Sequence, residues 1–105
     1  FLCPSIYEPL GIVNLEAMGC ETAVLASRVG GIPEVVSHKV TGELVDYTPD
    51  HTKFQSDLTE AISSLMSQPQ LLKQYGEAGR KRAESEFGWD AVAAQTISLY
   101  RSVIN

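Results

Sequence analysis

Two cysteines, Cys3 and Cys20, are too few to staple a fold with disulfides. Both stand among apolar neighbours and read as buried thiols of a reducing compartment, which points to the cytoplasm. No apolar run approaches the roughly 20 residues of a membrane-spanning helix. No basic stretch followed by an apolar one marks a signal peptide. Basic residues are scarce, eight Lys and Arg against 13 Asp and Glu, and the formal net charge of −5 argues against nucleic acid as a partner. There is no internal repeat and no low-complexity stretch. A starting Met is missing too, and Phe1-Leu2-Cys3-Pro4-Ser5 reads as the end of a core strand entering a loop. The chain is therefore expected to be the C-terminal part of something larger.

What remains is a sequence of 105 residues, 44% hydrophobic and 20% charged, enough for one domain with a core. Its charge is uneven. Residues 1–51 hold two basic side chains against seven acidic ones, and residues 52–105 hold six of each, so the first half carries the whole net charge.

Phe1–Cys3 predicts a strand, and residues 4–10 a loop. Gly11–Cys20 predicts a helix, with Ile12, Leu15 and Gly19 on one stripe. Ala23-Val24-Leu25-Ala26 is a short continuous apolar run, as in a strand buried on both faces. Gly30-Gly31 ends it. Ile32–Val36 predicts a short helix with Pro33 in its first turn, and Glu43-Leu44-Val45 a third strand after the Thr41-Gly42 turn. Asp50 or Thr52 can cap a helix that runs to about Ser67. Pro69 opens another to about Phe87, and Gly88 separates it from a last helix, Trp89–Ile104. Strands alternating with helices predict an α/β fold with a parallel sheet. Three short strands make only part of a doubly wound sheet. Ligands of such sheets bind beyond the carboxyl ends of the strands, so the loops at 4–10 and 27–31 are where chemistry is sought.

The stretch from Ser5 to Glu16 runs from loop into helix N-terminus. Helix N-termini present unpaired N–H groups that can hold a phosphate. Gly11 lets the backbone approach a ligand closely. Glu8 lies just before the helix and Glu16 about a turn and a half inside it, and carboxylates accept hydrogen bonds from paired sugar hydroxyls. Amides for a diphosphate beside carboxylates for hydroxyls suit a nucleotide sugar. Two glutamates eight apart also arise by chance, and Glu16 could be a solvated helix residue. Its neighbours Leu15, Ala17 and Met18 are apolar, however, and an uncompensated carboxylate in a buried helix is costly.

Glu8-Pro9-Leu10-Gly11-Ile12 followed by Glu16 resembles the E-x7-E motif of retaining glycosyltransferases of the two-domain GT-B architecture. The resemblance continues through Glu16-Ala17-Met18, Ala23–Ser27, Gly30–Val36 and Thr41–Val45. It extends to Phe87-Gly88-Trp89, which is similar to the F-S-W before that family's last helix. Within family 4 it is most similar to glycogen synthases of the actinobacterial type, some of which make maltose 1-phosphate. The resemblance implies a partial Rossmann-like sheet. Residues 1–88 would be the C-terminal part of a nucleotide-sugar-binding domain, and residues 89–105 a terminal helix crossing to a missing N-terminal domain. It implies that Glu16 binds the ribose hydroxyls, that Glu8 lies by the donor sugar as the catalytic position, and that the amides of Leu10, Gly11 and Ile12 face sugar and diphosphate. The implied reaction is glucosyl transfer from ADP- or UDP-glucose, with retention, to an α-glucan or glucose 1-phosphate. No metal or further cofactor is implied, and phosphate-binding cations would come from upstream. An isolated fragment would be inactive.

Some residues depart from that pattern or read more plainly. Glu21 occupies a position where Gly often takes a left-handed cap. Arg28 is the only basic residue near the loops. Gly30-Gly31 needs no ligand to explain it. His38 and His51 read as solvated, as does the Arg80-Lys81-Arg82 face. The last helix carries two adjacent apolar stripes and is expected to expose them or to self-associate. Three other readings remain open: a family 4 enzyme with a lipid or small-metabolite acceptor, a nucleotide-sugar epimerase, and a nucleotide-binding module without chemistry.

Overall fold

The computed structural model describes residues 1–104; Asn105, the end of the expected terminal segment, lies outside the described residues. The elements run β1 (Leu2–Cys3), α1 (Ile12–Gly19), β2 (Val24–Ser27), α2 (Ile32–Val35), β3 (Gly42–Val45), α3 (His51–Met66), α4 (Pro69–Phe87) and α5 (Trp89–Val103). The three strands form one parallel sheet in the order β1-β2-β3. Leu25 pairs with Leu2 on one side and Glu43 on the other. All four residues of β2 are buried, as a central strand covered on both faces requires.

Alternation along β2 sorts the core into two layers. Val24 and Ala26 point to one side, where Met18 of α1, Ile32 and Val35 of α2, and Ala83 and Phe87 of α4 cover them. Leu25 points to the other, with Val45, Leu65 of α3 and Tyr75 of α4. Helix α4 thus serves both layers, its first half under one face and its second half under the other. Its closeness to the turn after α1 depends on Gly76. A Cβ there would stand 2.1 Å from the carbonyl oxygen of Glu21, so the roughly 1 kcal/mol that glycine costs a helix interior is the condition of that contact.

Capping follows side-chain chemistry. Asp50 accepts hydrogen bonds from the amides of Thr52 and Lys53 and starts α3. Glu21 does take the left-handed conformation, at φ 57°. Arg80 and Lys81 are exposed, as a solvated face requires, but Arg82 is half-buried, and arginines of α4 close two carbonyl ends. Arg80 donates to the carbonyl of Gly19 at the end of α1, and Arg82 to those of Glu34 and Val35 at the end of α2. Cations there also oppose the helix dipole.

Two further expectations are corrected. Cys3 is buried in the core, but Cys20 is exposed, because it ends α1 at the turn where the chain heads back to the sheet. The buried stripe of α1 is Asn14 and Met18, flanked by Leu15 and Ala17, rather than Ile12, Leu15 and Gly19. Ile12 and Val13 face outward instead. Helix α5 has no buried residue, and Trp89, Leu99, Tyr100 and Val103 stand exposed along it.

Candidate functional site

Beyond β1 the chain crosses the carboxyl end of the sheet and enters α1. Two contacts fix this crossing. The Ser5 hydroxyl donates to Glu8 Oε2 at 3.2 Å, and the Gly31 amide donates to the Glu8 carbonyl oxygen at 2.9 Å. The loop after β2 lies directly against the crossing. A Cβ on Gly30 would stand 1.9 Å from the Glu8 carbonyl oxygen, and one on Gly31 would stand 2.1 Å from that of Pro9. Loop-to-loop contact therefore accounts for both glycines. Gly30 also has φ +53°, where a side chain is strained in any case.

Gly11 is the N-cap of α1, at φ 83° and ψ 52°, and offers no side chain to the helix. The first amides of the helix have no acceptor within it and stay open to a ligand. Leu10, Gly11 and Ile12 are thus grouped at one helix end, with Glu8 half-buried just before them. Glu16 lies four residues beyond Ile12, about 6 Å along the axis. It is exposed, so its neighbours in sequence do not bury it. It lines an open groove of about 520 Å³ together with Leu10, Ile12, Leu15, Phe87 and Trp89. The structure places Glu8 against Gly11, and Leu10, Ile12 and Glu16 along the neighbouring groove, which Glu8 and Gly11 do not line. What gathers there can accept hydroxyl hydrogens and donate amide hydrogens side by side.

Other candidates are settled differently. Arg28 Nε is paired with Asp46 Oδ1 at 2.8 Å, joining the ends of β2 and β3. His38 is exposed, but its Nδ1 accepts a hydrogen bond from the Leu44 amide at 2.9 Å, which only an unprotonated nitrogen can do. Partial desolvation of the ring, and then the cations of Arg28 and Lys39, hold its pKa below the usual histidine value against the pull of Glu43 and Asp46. Among the described residues no group of three or more His, Cys, Asp or Glu side chains is placed to hold a metal ion.

Sequence reasoning missed Asn14 and Arg82. Asn14 is fully buried in the first turn of α1, and neither its Nδ2 nor its Oδ1 has a hydrogen-bond partner within the protein. Its Nδ2 lies 2.8 Å from where a Gly11 Cβ would be, so a polar group sits under the floor of the site. Nothing in the local pattern distinguishes it from an exposed helical Asn.

A parallel α/β layer with a glycine-capped helix N-terminus at its carboxyl edge matches, in its fold, a fragment of a GT-B glycosyltransferase domain. The chain belongs to the family of glycosyl transferases group 1, whose model matches residues 1–82. It is 56% identical over 104 residues to the alpha-maltose-1-phosphate synthase of Mycobacterium tuberculosis, covering 98% of this chain and 27% of that protein. Among solved structures, the sucrose-phosphate synthase of Thermosynechococcus elongatus superposes with a TM-score of 0.81 at 39% identity, over 98% of this chain and 25% of the other. HepE of Anabaena, solved in complex with UDP-glucose, superposes with a TM-score of 0.77 at 27% identity, over 97% of this chain and 27% of the other. The chain thus spans about a quarter of the length of the relatives it matches.

Proposed function

We propose that this chain supplies the donor-binding face of a retaining glucosyltransferase that moves glucose from a nucleoside diphosphate glucose to a phosphorylated sugar. The observation that carries the reading is that Glu8 lies against Gly11 at the N-terminal end of α1, while Leu10, Ile12 and Glu16 share the groove beside it. It is supported by the 56% identity to a protein named for making a maltose phosphate. In this reading Glu16 accepts hydrogen bonds from the ribose hydroxyls, and Glu8 stands by the donor sugar. The amides of Leu10, Gly11 and Ile12 face the sugar and the diphosphate, where the N-terminal end of α1 stabilises the departing charge.

The reaction breaks the bond between C1 of glucose and the diphosphate oxygen. An acceptor hydroxyl oxygen bonds to C1 on the same face, and its proton passes to the departing phosphate. The products are a nucleoside diphosphate and an α-glucoside. Neither glutamate needs to be a nucleophile. Residues 1–88 belong to the donor domain in this account, and the exposed apolar face of α5 is covered by the acceptor domain. The 105-residue piece alone is then inactive. Two unpaired cysteines fit a reducing compartment.

The test is nucleotide release by a full-length transferase carrying this chain. ADP-glucose and UDP-glucose are each offered with glucose 1-phosphate or with glycogen. Release with glucose 1-phosphate, yielding an α-linked disaccharide phosphate, is expected. Release with glycogen alone would move the acceptor to an α-glucan, and no release with either donor would overturn the reading.

A further inference from the structure

We propose that Arg82, far along the chain from the site, is a positioning residue that holds the Glu8 loop in place through α2. This rests on the reading of residues 8–16 as the donor site. Helix α2 has only four residues and cannot hold its own ends. Its last carbonyls are taken by one guanidinium: Arg82 Nε donates to the Val35 oxygen and Nη2 to the Glu34 oxygen, both at 2.9 Å. That fork suits arginine and no other side chain. Arg82 is itself held, by an ion pair to Glu86 and by lying 5.5 Å over the Phe87 ring.

From there the path is continuous. Ile32 and Val35 are fully buried and seat α2 in the core. Gly31 begins α2, and its amide donates to the Glu8 carbonyl oxygen. Neither Gly30 nor Gly31 has room for a Cβ against the Glu8–Leu10 backbone, so movement of α2 toward that loop pushes it directly. Arg82 fixes one end of a strut whose other end is the backbone of Glu8.

The experiment compares Arg82→Met, Arg82→Lys and Tyr75→Phe in a full-length transferase carrying this chain, assayed well below each variant's melting temperature. Tyr75 is the control. It lies on the same helix and donates to Glu43 Oε2 at 3.1 Å, on the other face of the sheet. A shift of the Glu8 loop on the ångström scale lengthens the contacts it makes to the donor, and hydrogen bonds weaken steeply with such a change. Arg82→Met is therefore expected to raise the donor KM about tenfold and leave the acceptor KM unchanged. Arg82→Lys, which can reach one carbonyl, recovers part of the loss. Tyr75→Phe lowers Tm without moving the donor KM. If Arg82→Met lowers Tm but leaves the donor KM within about twofold of the unaltered enzyme, Arg82 only stabilises the fold and the proposal is overturned. If Arg82→Met does not fold, a donor KM for Arg82→Lys equal to that of the unaltered enzyme overturns it equally, and a raised one supports it. Glu16→Ala run alongside separates the two claims. Transfer unchanged by Glu16→Ala removes the donor-site reading itself, whereas donor affinity lost in Glu16→Ala but intact in Arg82→Met removes only the strut.

Discussion

Replacing Gly31 by alanine isolates the contact between the two loops of the site. Gly31 has φ −86° and ψ −1°, a conformation open to any residue, so the substitution carries no backbone strain. The added methyl would lie 2.1 Å from the Pro9 oxygen and 2.8 Å from Leu10 Cα. Carbon and oxygen rest at roughly 3.3 Å even in close contacts, so the loops must part by about 1 Å. Both obstructing atoms are backbone and cannot swing aside. Parting the loops stretches the Gly31 amide bond to Glu8, worth about 1 kcal/mol, and overpacking adds roughly 1–3 kcal/mol. The total of about 2–4 kcal/mol corresponds to a fall in Tm of roughly 10 °C or more in a domain of this size. Thermal unfolding followed by circular dichroism at constant pH reads it directly. A Tm within about 2 °C of the parent would show that the loops are not in contact as described and would remove the explanation of both glycines.

Other perturbations test separate parts of the account. Glu21→Gly relieves a left-handed backbone at a solvent-exposed turn and is expected to stabilise the chain by about 1 kcal/mol, read as a rise in urea midpoint with unchanged slope. A lowered midpoint would mean that the Glu21 side chain contributes a contact outweighing that strain. Acid should weaken the fold through His38, whose folded pKa lies below its unfolded value. Its contribution is fully present above the unfolded value near 6.5 and is lost as pH falls through the folded one, when the Leu44 amide loses its acceptor. His38→Asn, which keeps an acceptor but does not titrate, should flatten the stability profile below pH 6.5; an equally steep profile would assign the acid loss to other groups.

The strands and helices were legible because each rests on a local signal. Burial on both faces wrote β2 as four apolar-compatible residues, and Asp50, Pro69 and Gly88 punctuated the helices. The placement of the candidate residues was legible for a related reason: Glu8, Gly11 and Glu16 lie on one short loop-and-helix segment, which is a local object. What escaped depends on chain-distant contact. Gly30 and Gly31 look like an ordinary turn until the Glu8–Leu10 backbone is laid against them. Arg82 looks solvated on its own helix, and only the placement of α2, 47 residues earlier, gives it carbonyls to hold. The outward turn of Ile12 and Val13 escaped because periodicity fixes the width of an apolar stripe on a helix of only eight residues poorly.

The central claim is that the N-terminal end of α1, with Glu8 before it and Glu16 in its second turn, holds a nucleotide sugar. Calorimetric titration of ADP-glucose and UDP-glucose into a full-length transferase carrying this chain, with and without Glu16→Ala, tests it most directly. Two hydrogen bonds to a charged acceptor, each about 1.5 kcal/mol, are lost with the carboxylate, so the affinity for the donor that binds should fall about a hundredfold. Binding of equal strength in the two proteins would contradict the claim.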